Sequence, residues 1–190
     1  MDISSGDAFL IVDLQRDFCP GGALPVREGH LLVPILNLWA RAFADARCPI
    51  FASRDWHPPH HVSFRERGGP WPPHCIQHSA GAAFHPDLAL PEGTILINKG
   101  MDPDRDAYSA FDGTDLALCL RNLGIRRLTV GGLALDYCVR ASVLDAVREG
   151  FTVRLLRKAS LAVEVHPGDG DQALAEMVAA GTEIIEEATP

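Results

Sequence analysis

Short apolar segments alternate with segments of helical periodicity along most of this 190-residue chain. Residues 8–14 form a run rich in branched side chains, which is typical of a strand buried on both faces. Similar runs predict strands at 49–53, 94–98, 128–132, 151–156 and 182–185. Apolar residues at helical spacing predict helices at 31–47, 115–123, 136–149 and 171–180, and a glycine directly follows each of the last three.

The alternation of strands and helices predicts an α/β fold, a three-layer α/β/α sandwich with a mainly parallel central sheet. Ligands of such sheets bind beyond the carboxyl ends of the strands. Segment 54–91 interrupts the alternation, since it is rich in proline, histidine and glycine. It is much longer than an ordinary connection of about 4–6 residues. We therefore expect one domain over residues 1–190, in which the loop at about 54–91 binds a ligand.

The amino-acid composition limits the classes of binding partner and the cellular locations that we expect for this chain. The chain has 17 basic and 25 acidic residues, a net charge of -8, which disfavours nucleic acid and anionic membranes as partners. No apolar run approaches the roughly 20 residues of a membrane span. Five scattered cysteines without a CxxC pair predict a reducing, cytoplasmic location, and the first residues, which carry no basic side chain, predict no secretory leader. A homo-oligomer is compatible with the sequence, which does not determine the number of subunits.

Three chemically active side chains follow predicted strands. Cys138 opens a helix after a strand and a small-residue turn, where free N–H groups would lower the thiol pKa and could hold an oxyanion. This pattern leaves open whether Cys138 is a nucleophile or a buried structural residue. Asp13 and Lys99 end two other strands, so an acid, a base and a thiol could meet at one edge of the sheet. Charges at such an edge are also often only solvated.

A metal site is the second candidate. Asp55 and His57 lie two residues apart on one side of an extended segment, and two prolines precede His74. Aspartate and histidine ligands suit zinc, iron or manganese. Four other histidines of the loop are expected to be surface residues: His60, His61, His78 and His85. The sequence contains no HExxH, P-loop, GxSxG or GxGxxG motif, which disfavours metalloprotease, nucleotide-phosphate and serine-hydrolase activities.

Five segments together carry a family resemblance: IVDLQRDFC at 11–19, RDWH at 54–57, GPWPPHC at 69–75, NKG at 98–100 and GLALDYCVR at 132–140. In this order they resemble the nicotinamidases, also called pyrazinamidases, of the isochorismatase-like hydrolase family. The resemblance spans nearly the whole chain and implies an isochorismatase-like, Rossmann-like fold. It implies hydrolysis of nicotinamide to nicotinate and ammonia through a cysteine thioester, in NAD salvage, with pyrazinamide as a further substrate.

The resemblance also implies roles for individual residues. The catalytic triad would be Asp13, Lys99 and Cys138. The ligands of one divalent ion, zinc first with iron or manganese as alternatives, would be Asp55, His57 and His74, with Ser63 near the ion directly or through water. The amides of Ala134 and Cys138 would form the oxyanion hole after a cis peptide between Leu133 and Ala134. The substrate pocket would comprise Phe18, Leu24, Trp71, Tyr108, Leu133 and Tyr137.

Several points stay open at this stage. Tyr137 and segment 101–106 are variable in the family, so their roles are undefined. An amidase of the same superfamily acting on a carbamoyl or ureido substrate would keep the triad but should lack the metal loop. A metal-hydroxide hydrolase would use the loop for chemistry and leave Cys138 as a bystander. A non-enzymatic binding module would have no need of Asp13, Lys99 and Cys138 together.

Overall fold

The computed structural model describes residues 2–190, and Met1 lies outside them. Within this range the strands are β1 (Asp7–Val12), β2 (Ile50–Asp55), β3 (Ile95–Lys99), β4 (Arg127–Leu133), β5 (Thr152–Leu161) and β6 (Glu183–Ile185). The α-helices are α1 (Leu32–Asp45), α2 (Leu116–Asn122), α3 (Arg140–Arg148) and α4 (Asp169–Ala179). All strand pairs are parallel, in the order β3-β2-β1-β4-β5-β6. The predicted α/β fold with a parallel sheet is confirmed.

Both faces of the sheet are covered. Phe9 and Ile11 of β1 belong to a core that includes Trp39 of α1. The intervening Leu10 and Val12 of β1 belong to a second core with the apolar residues of α2, α3 and α4. This two-sided burial explains why the strand sequences are continuous apolar runs without polar alternation. No helix within residues 2–190 is long and apolar enough to cross a membrane.

Most observed bounds differ from the predicted ones by a residue or two, and three of the differences reflect local irregularities of the backbone. Strand β1 ends at Val12, because Asp13 adopts a left-handed conformation with φ +47°. Strand β5 continues beyond residue 156 to Leu161, past an irregularity in its pairing with β4. The predicted helix at 136–149 is divided into a π-helical turn, Leu135–Val139, and α3. Periodicity does not distinguish these local deviations from regular structure.

The topology places the candidate chemistry at one edge of the sheet. Strand order reverses between β1 and β4, and ligands of parallel sheets bind at such a switch point. Asp13 follows β1, and the turn that carries Cys138 follows β4. Asp55 and Lys99 end the neighbouring strands β2 and β3, where they are paired in register. The fold therefore brings the residues of both candidate sites to the same carboxyl edge.

Candidate active site

Lys99 lies at the centre of the buried charged groups. Its Nζ atom is 2.9 Å from Asp13 Oδ2 and 2.5 Å from Asp55 Oδ1. The same atom donates a hydrogen bond to Cys138 Sγ at 3.3 Å. The contact between Lys99 Nζ and the Asp55 carboxylate follows directly from the pairing of β2 with β3, because these two residues are register partners. One ammonium group therefore connects the three residues of the predicted triad with the predicted metal loop.

The Asp13 carboxylate is fully buried, and its two oxygens have different neighbours. Its Oδ1 atom accepts a hydrogen bond from Ser53 Oγ at 2.7 Å. Its Oδ2 atom receives no hydrogen bond from residues 2–190, although Lys99 is close enough for an ion pair. A carboxylate oxygen of Asp13 and Cys138 Sγ lie within 4.8 Å of each other. Asp13 thus has one oxygen bonded to Ser53 and the other paired with Lys99, and the carboxylate lies close to the thiol.

Burial controls the proton affinities of this pair. It raises the pKa of the Cys138 thiol well above the usual range, although Lys99 opposes the shift. It also raises the pKa of Asp13 against the opposing effect of the same lysine. A helix start can lower a thiol pKa, but the net shift at Cys138 is upward, because burial of the thiolate outweighs the opposing effect of Lys99. Burial thus favours the protonated form of Cys138, and a base beside the sulfur would promote its ionisation.

Three donor atoms of the metal loop converge. Asp55 Oδ2 lies 3.5 Å from His57 Nε2 and 3.9 Å from His74 Nε2. The Nδ1 atom of His57 donates to the Gly100 carbonyl at 2.9 Å, and that of His74 donates to the Pro72 carbonyl at 2.8 Å. Because each Nδ1 carries the proton, each Nε2 presents a lone pair to Asp55. This is the arrangement of metal-ligating histidines, so the donor set fits a divalent ion.

The charge of the Asp55 carboxylate is maintained by its neighbours. Burial alone would raise its pKa, but the Lys99 ammonium and His57 together hold the pKa well below its usual range. Burial alone would lower the pKa of Lys99, and the two carboxylates hold it well above its ordinary value. Asp55 is thus an ionised oxygen donor with one oxygen toward Lys99 and the other toward the histidines.

Ser63 is buried and lines the same cavity as the three donor residues. Its Oγ atom lies 2.7 Å from His61 Nδ1, and His61 Nε2 lies 3.0 Å from the Arg105 carbonyl. His61 is fully buried, so the prediction that it is a surface residue is wrong. Segment 101–106 covers it, a contact between distant parts of the chain that the sequence pattern does not reveal.

An aromatic cavity of about 480 Å³, including its open mouth, leads to Cys138 and the metal loop. Trp71 Nε1 donates to Tyr108 Oη at 2.9 Å, and Tyr137 packs edge-on against Trp71 with ring centroids 5.1 Å apart. The predicted pocket residues on its walls are Phe18, Leu24, Trp71, Tyr108 and Tyr137. Ala134, predicted for the oxyanion hole, lines the cavity as well. Leu133 is instead buried in the core and is not among the residues found lining the cavity. Lining residues that the sequence did not suggest are Val26, Asp106, Ala107 and Val163.

The turn that carries the thiol has the backbone that the resemblance implies. The peptide bond between Leu133 and Ala134 is cis. The Ala134 carbonyl accepts hydrogen bonds from the N–H groups of Tyr137 and Val139, at 3.1 and 3.0 Å. Ala134 and Cys138 both line the cavity, so these two residues belong to its wall.

Two further polar residues position the metal loop, and the sequence did not suggest them. Gln15 donates from Nε2 to the Asp55 carbonyl and accepts at Oε1 from the Asp55 N–H, both at 2.8 Å. Asp17 Oδ2 accepts from the backbone N–H of Cys75, next to His74, at 2.7 Å. Both lie in the motif at 11–19, where polar residues directly after an apolar strand are the available signal.

Comparisons with known proteins relate nearly the whole chain to one family. The family described as "Isochorismatase domain" matches residues 7–189. The nicotinamidase of Escherichia coli K12 is 39% identical, with 92% of each chain covered. A crystal structure of the pyrazinamidase of Pyrococcus horikoshii in complex with zinc has 49% identity and a TM-score of 0.92, covering 96% of this chain and 99% of that one. The L. infantum protein PnC1 in complex with nicotinate has 36% identity and a TM-score of 0.88, with 97% and 96% coverage.

Proposed function

The chain belongs to the isochorismatase domain family, and we propose that it hydrolyses nicotinamide to nicotinate and ammonia. The observation that carries this proposal is the shared cavity: the Cys138 thiol and the donors Asp55, His57 and His74 line one aromatic pocket. Such a pocket can hold a flat aromatic amide with its carboxamide toward the thiol and its ring nitrogen toward the metal loop. The nicotinamidase of E. coli and the nicotinate complex of the L. infantum protein support the same substrate class.

The reaction proceeds through covalent catalysis by Cys138. Asp13 takes the thiol proton, and the thiolate sulfur forms a bond to the carboxamide carbon. The backbone amides of Ala134 and Cys138 hold the resulting oxyanion. Protonated Asp13 then gives its proton to the departing nitrogen, and the C–N bond breaks to release ammonia. Asp13 then takes a proton from water, whose oxygen forms a bond to the thioester carbon. The C–S bond breaks to release nicotinate, and Asp13 returns the proton to the sulfur.

Lys99 has an electrostatic role in this scheme. Its ammonium lies between Asp13, Asp55 and the sulfur, so it offsets the negative charge that passes from the carboxylate to the thiolate. A neutral residue at this position would leave two buried carboxylates next to each other. Lys99 therefore stabilises the ionised forms of the site without taking part in the proton transfers.

Asp55, His57 and His74 would hold one divalent ion, with Ser63 beside it directly or through water. The bound ion supplies a Lewis-acid contact that orients the ring nitrogen of the substrate. Zinc is the first choice, since the similar P. horikoshii pyrazinamidase binds zinc and the donor set suits it, with iron and manganese as alternatives. The chain's own residues, not hydroxide on the ion, provide the nucleophile.

The wider biological setting is part of the proposal. Pyrazinamide shares a ring nitrogen and a carboxamide with nicotinamide and is a further substrate, as the name of the P. horikoshii relative suggests. The product nicotinate would enter NAD salvage. One sheet connects all six described strands, which supports a single domain with segment 54–91 as its binding loop. The need for a free Cys138 thiol supports a reducing, cytoplasmic location.

Ammonia release from nicotinamide, measured before and after treatment with a chelator, tests the function. We expect turnover by the native protein, its loss on chelation and its recovery when zinc is restored. Cys138→Ala should lose at least about 10³-fold in turnover and keep its metal, because the nucleophile is removed and the ligands remain. Cys119→Ala, a half-buried cysteine of α2, is the matched control and should keep full activity.

Two outcomes would contradict the proposal. Absence of nicotinamide turnover by the zinc-loaded protein would exclude the activity. Full turnover by Cys138→Ala that chelation abolishes would instead establish a metal-hydroxide hydrolase, with the cysteine as a bystander.

A further inference from the structure

Segment 101–106 is bound to residues 60–67 of the long loop. The Val62 N–H donates to the Pro103 carbonyl at 2.8 Å, and Arg67 Nη1 donates to the same carbonyl at 3.0 Å. Between these contacts lies His61, fully buried, with Nε2 3.0 Å from the Arg105 carbonyl. Since His61 also contacts Ser63, it connects segment 101–106 to a residue on the cavity wall.

The hydrogen-bond partners of His61 determine where its proton lies. A carbonyl oxygen can only accept, so the contact with Arg105 requires a proton on Nε2. The backbone N–H of Ser63 can only donate, and it points to Nδ1 at 3.3 Å, so Nδ1 carries a lone pair. The Ser63 hydroxyl, 2.7 Å from the same Nδ1, must then be the donor in that contact.

This assignment determines what Ser63 offers to the cavity. Its only side-chain proton is committed to His61 Nδ1, so the hydroxyl presents lone pairs to any other partner. His61 has both ring nitrogens engaged and therefore has none left to bind an ion. Its ring stacks on that of His57, with centroids 4.1 Å apart and planes inclined by 26°. His61 thus contacts two residues of the metal loop without being a ligand itself.

We infer that His61 is a positioning residue of the metal centre, which holds the Ser63 hydroxyl as an acceptor toward the bound ion or a water molecule beside it. This inference rests on the proposed function, because it presupposes that Asp55, His57 and His74 hold an ion. Hydrogen bonds around a metal site typically change affinity by about 10–100-fold when they are removed. The effect of His61 should therefore appear in metal affinity and should depend on Ser63.

Two variants of similar polarity, His61→Asn and His61→Gln, test the two hydrogen bonds of His61 one at a time. The amide oxygen of asparagine can replace Nδ1 as the acceptor for Ser63, whereas the longer glutamine places its amide near Nε2 and can donate to Arg105. Both lose the stacking on His57, so the difference between them reports on the Ser63 contact. We expect His61→Asn to keep zinc affinity within about threefold of the native value and His61→Gln to lose about 10–100-fold.

The measurement is the zinc dissociation constant, obtained by competition with a chromophoric chelator and zinc as the only probe. Unfolding midpoints of the two variants should agree, which excludes a general loss of structure as the cause. A double-mutant cycle should show that His61→Gln adds little to Ser63→Ala, because the first variant releases the orientation of the Ser63 hydroxyl and the second removes that hydroxyl altogether. His60→Asn, an exposed neighbour, is the matched control and should keep native zinc affinity.

The outcomes distinguish this inference from the proposed function. If the native protein and both His61 variants bind zinc equally, the role of His61 is refuted and the metal centre stands. If asparagine and glutamine weaken binding equally, the ring stacking matters and the hydrogen bond to Ser63 does not, which also refutes it. If the native protein binds no zinc, the proposed metal centre fails, and the inference fails with it.

Discussion

At the scale of single residues, the main feature is a buried thiol beside a buried carboxylate. Burial raises the pKa of Cys138 and of Asp13, while Lys99 opposes both shifts. The raised pKa of Cys138 disfavours a thiolate at rest. In the proposed mechanism the nucleophile forms when Asp13 accepts the thiol proton, and Lys99 influences the pKa of both groups.

Asp13→Asn tests this proton transfer. The amide keeps the shape of the side chain but cannot take the thiol proton, so we expect kcat for nicotinamide to fall by about 10²–10⁴-fold. Ser53→Ala removes only the hydrogen bond to Asp13 Oδ1 and should cost about tenfold or less. Steady-state kinetics at saturating substrate provide the measurement. A kcat for Asp13→Asn near the native value would assign the base to another group.

At the scale of elements, the site depends on strand ends and on the residues directly after them. Gly100 follows β3 with φ +64°, and a Cβ atom there would lie 2.5 Å from His57 Cε1. The Gly100 carbonyl also accepts the Nδ1 proton of His57. The absence of a side chain thus lets the backbone after β3 approach an imidazole of the metal loop and set its orientation.

Comparing Gly100→Ala with Gly124→Ala distinguishes the effect of this close approach to His57 from the effect of backbone strain. Gly124 has a similar φ, +70°, but a Cβ atom added there would have no neighbouring atom within 4 Å. We expect each variant to lose about 1 kcal/mol of unfolding free energy from the left-handed conformation. Only Gly100→Ala should also weaken zinc binding, by about tenfold or more, because it displaces His57. Urea unfolding and chelator competition measure the two effects, and equal zinc affinities would contradict the role given to Gly100.

At the scale of the whole molecule, buried thiols make the free energy of unfolding depend on pH in the alkaline range. Burial raises the pKa of Cys19 to about 11 and also raises the pKa of Cys48, Cys75 and Cys138. In the unfolded chain these thiols ionise near pH ~8.5. Their contribution to stability is therefore fully present below about pH 8.5 and is lost as the pH rises through the folded-state pKa values.

We accordingly expect the free energy of unfolding to fall between about pH 8.5 and pH 10.5, by up to about 1.4 kcal/mol per pH unit for each thiol ionised only in the unfolded chain. Urea unfolding under reducing conditions at several pH values measures this slope. Cys19→Ala should make the slope shallower, since it removes one of the linked groups. A free energy that stays constant or rises over this range would be inconsistent with protonated buried thiols.

The sequence alone predicted the fold class and the residues that meet at the sheet edge. Continuous apolar runs at 8–14 and 128–132 predicted strands buried on both faces, and the parallel order required Asp13 and the Cys138 turn to share one edge. The motifs at 54–57 and 69–75 suggested Asp55, His57 and His74 as a group, and their donor atoms do converge. Such predictions succeed because periodicity and short motifs report on local structure.

The tertiary structure decided everything that depends on contacts between distant segments. The pairing of β2 with β3 places Lys99 on Asp55, and burial of the resulting cluster raises the Cys138 pKa instead of lowering it. The packing of segment 101–106 buries His61, and the core encloses Leu133 away from the cavity. Desolvation and long-range hydrogen bonding arise only when the chain is folded, so no local pattern in the sequence carries them.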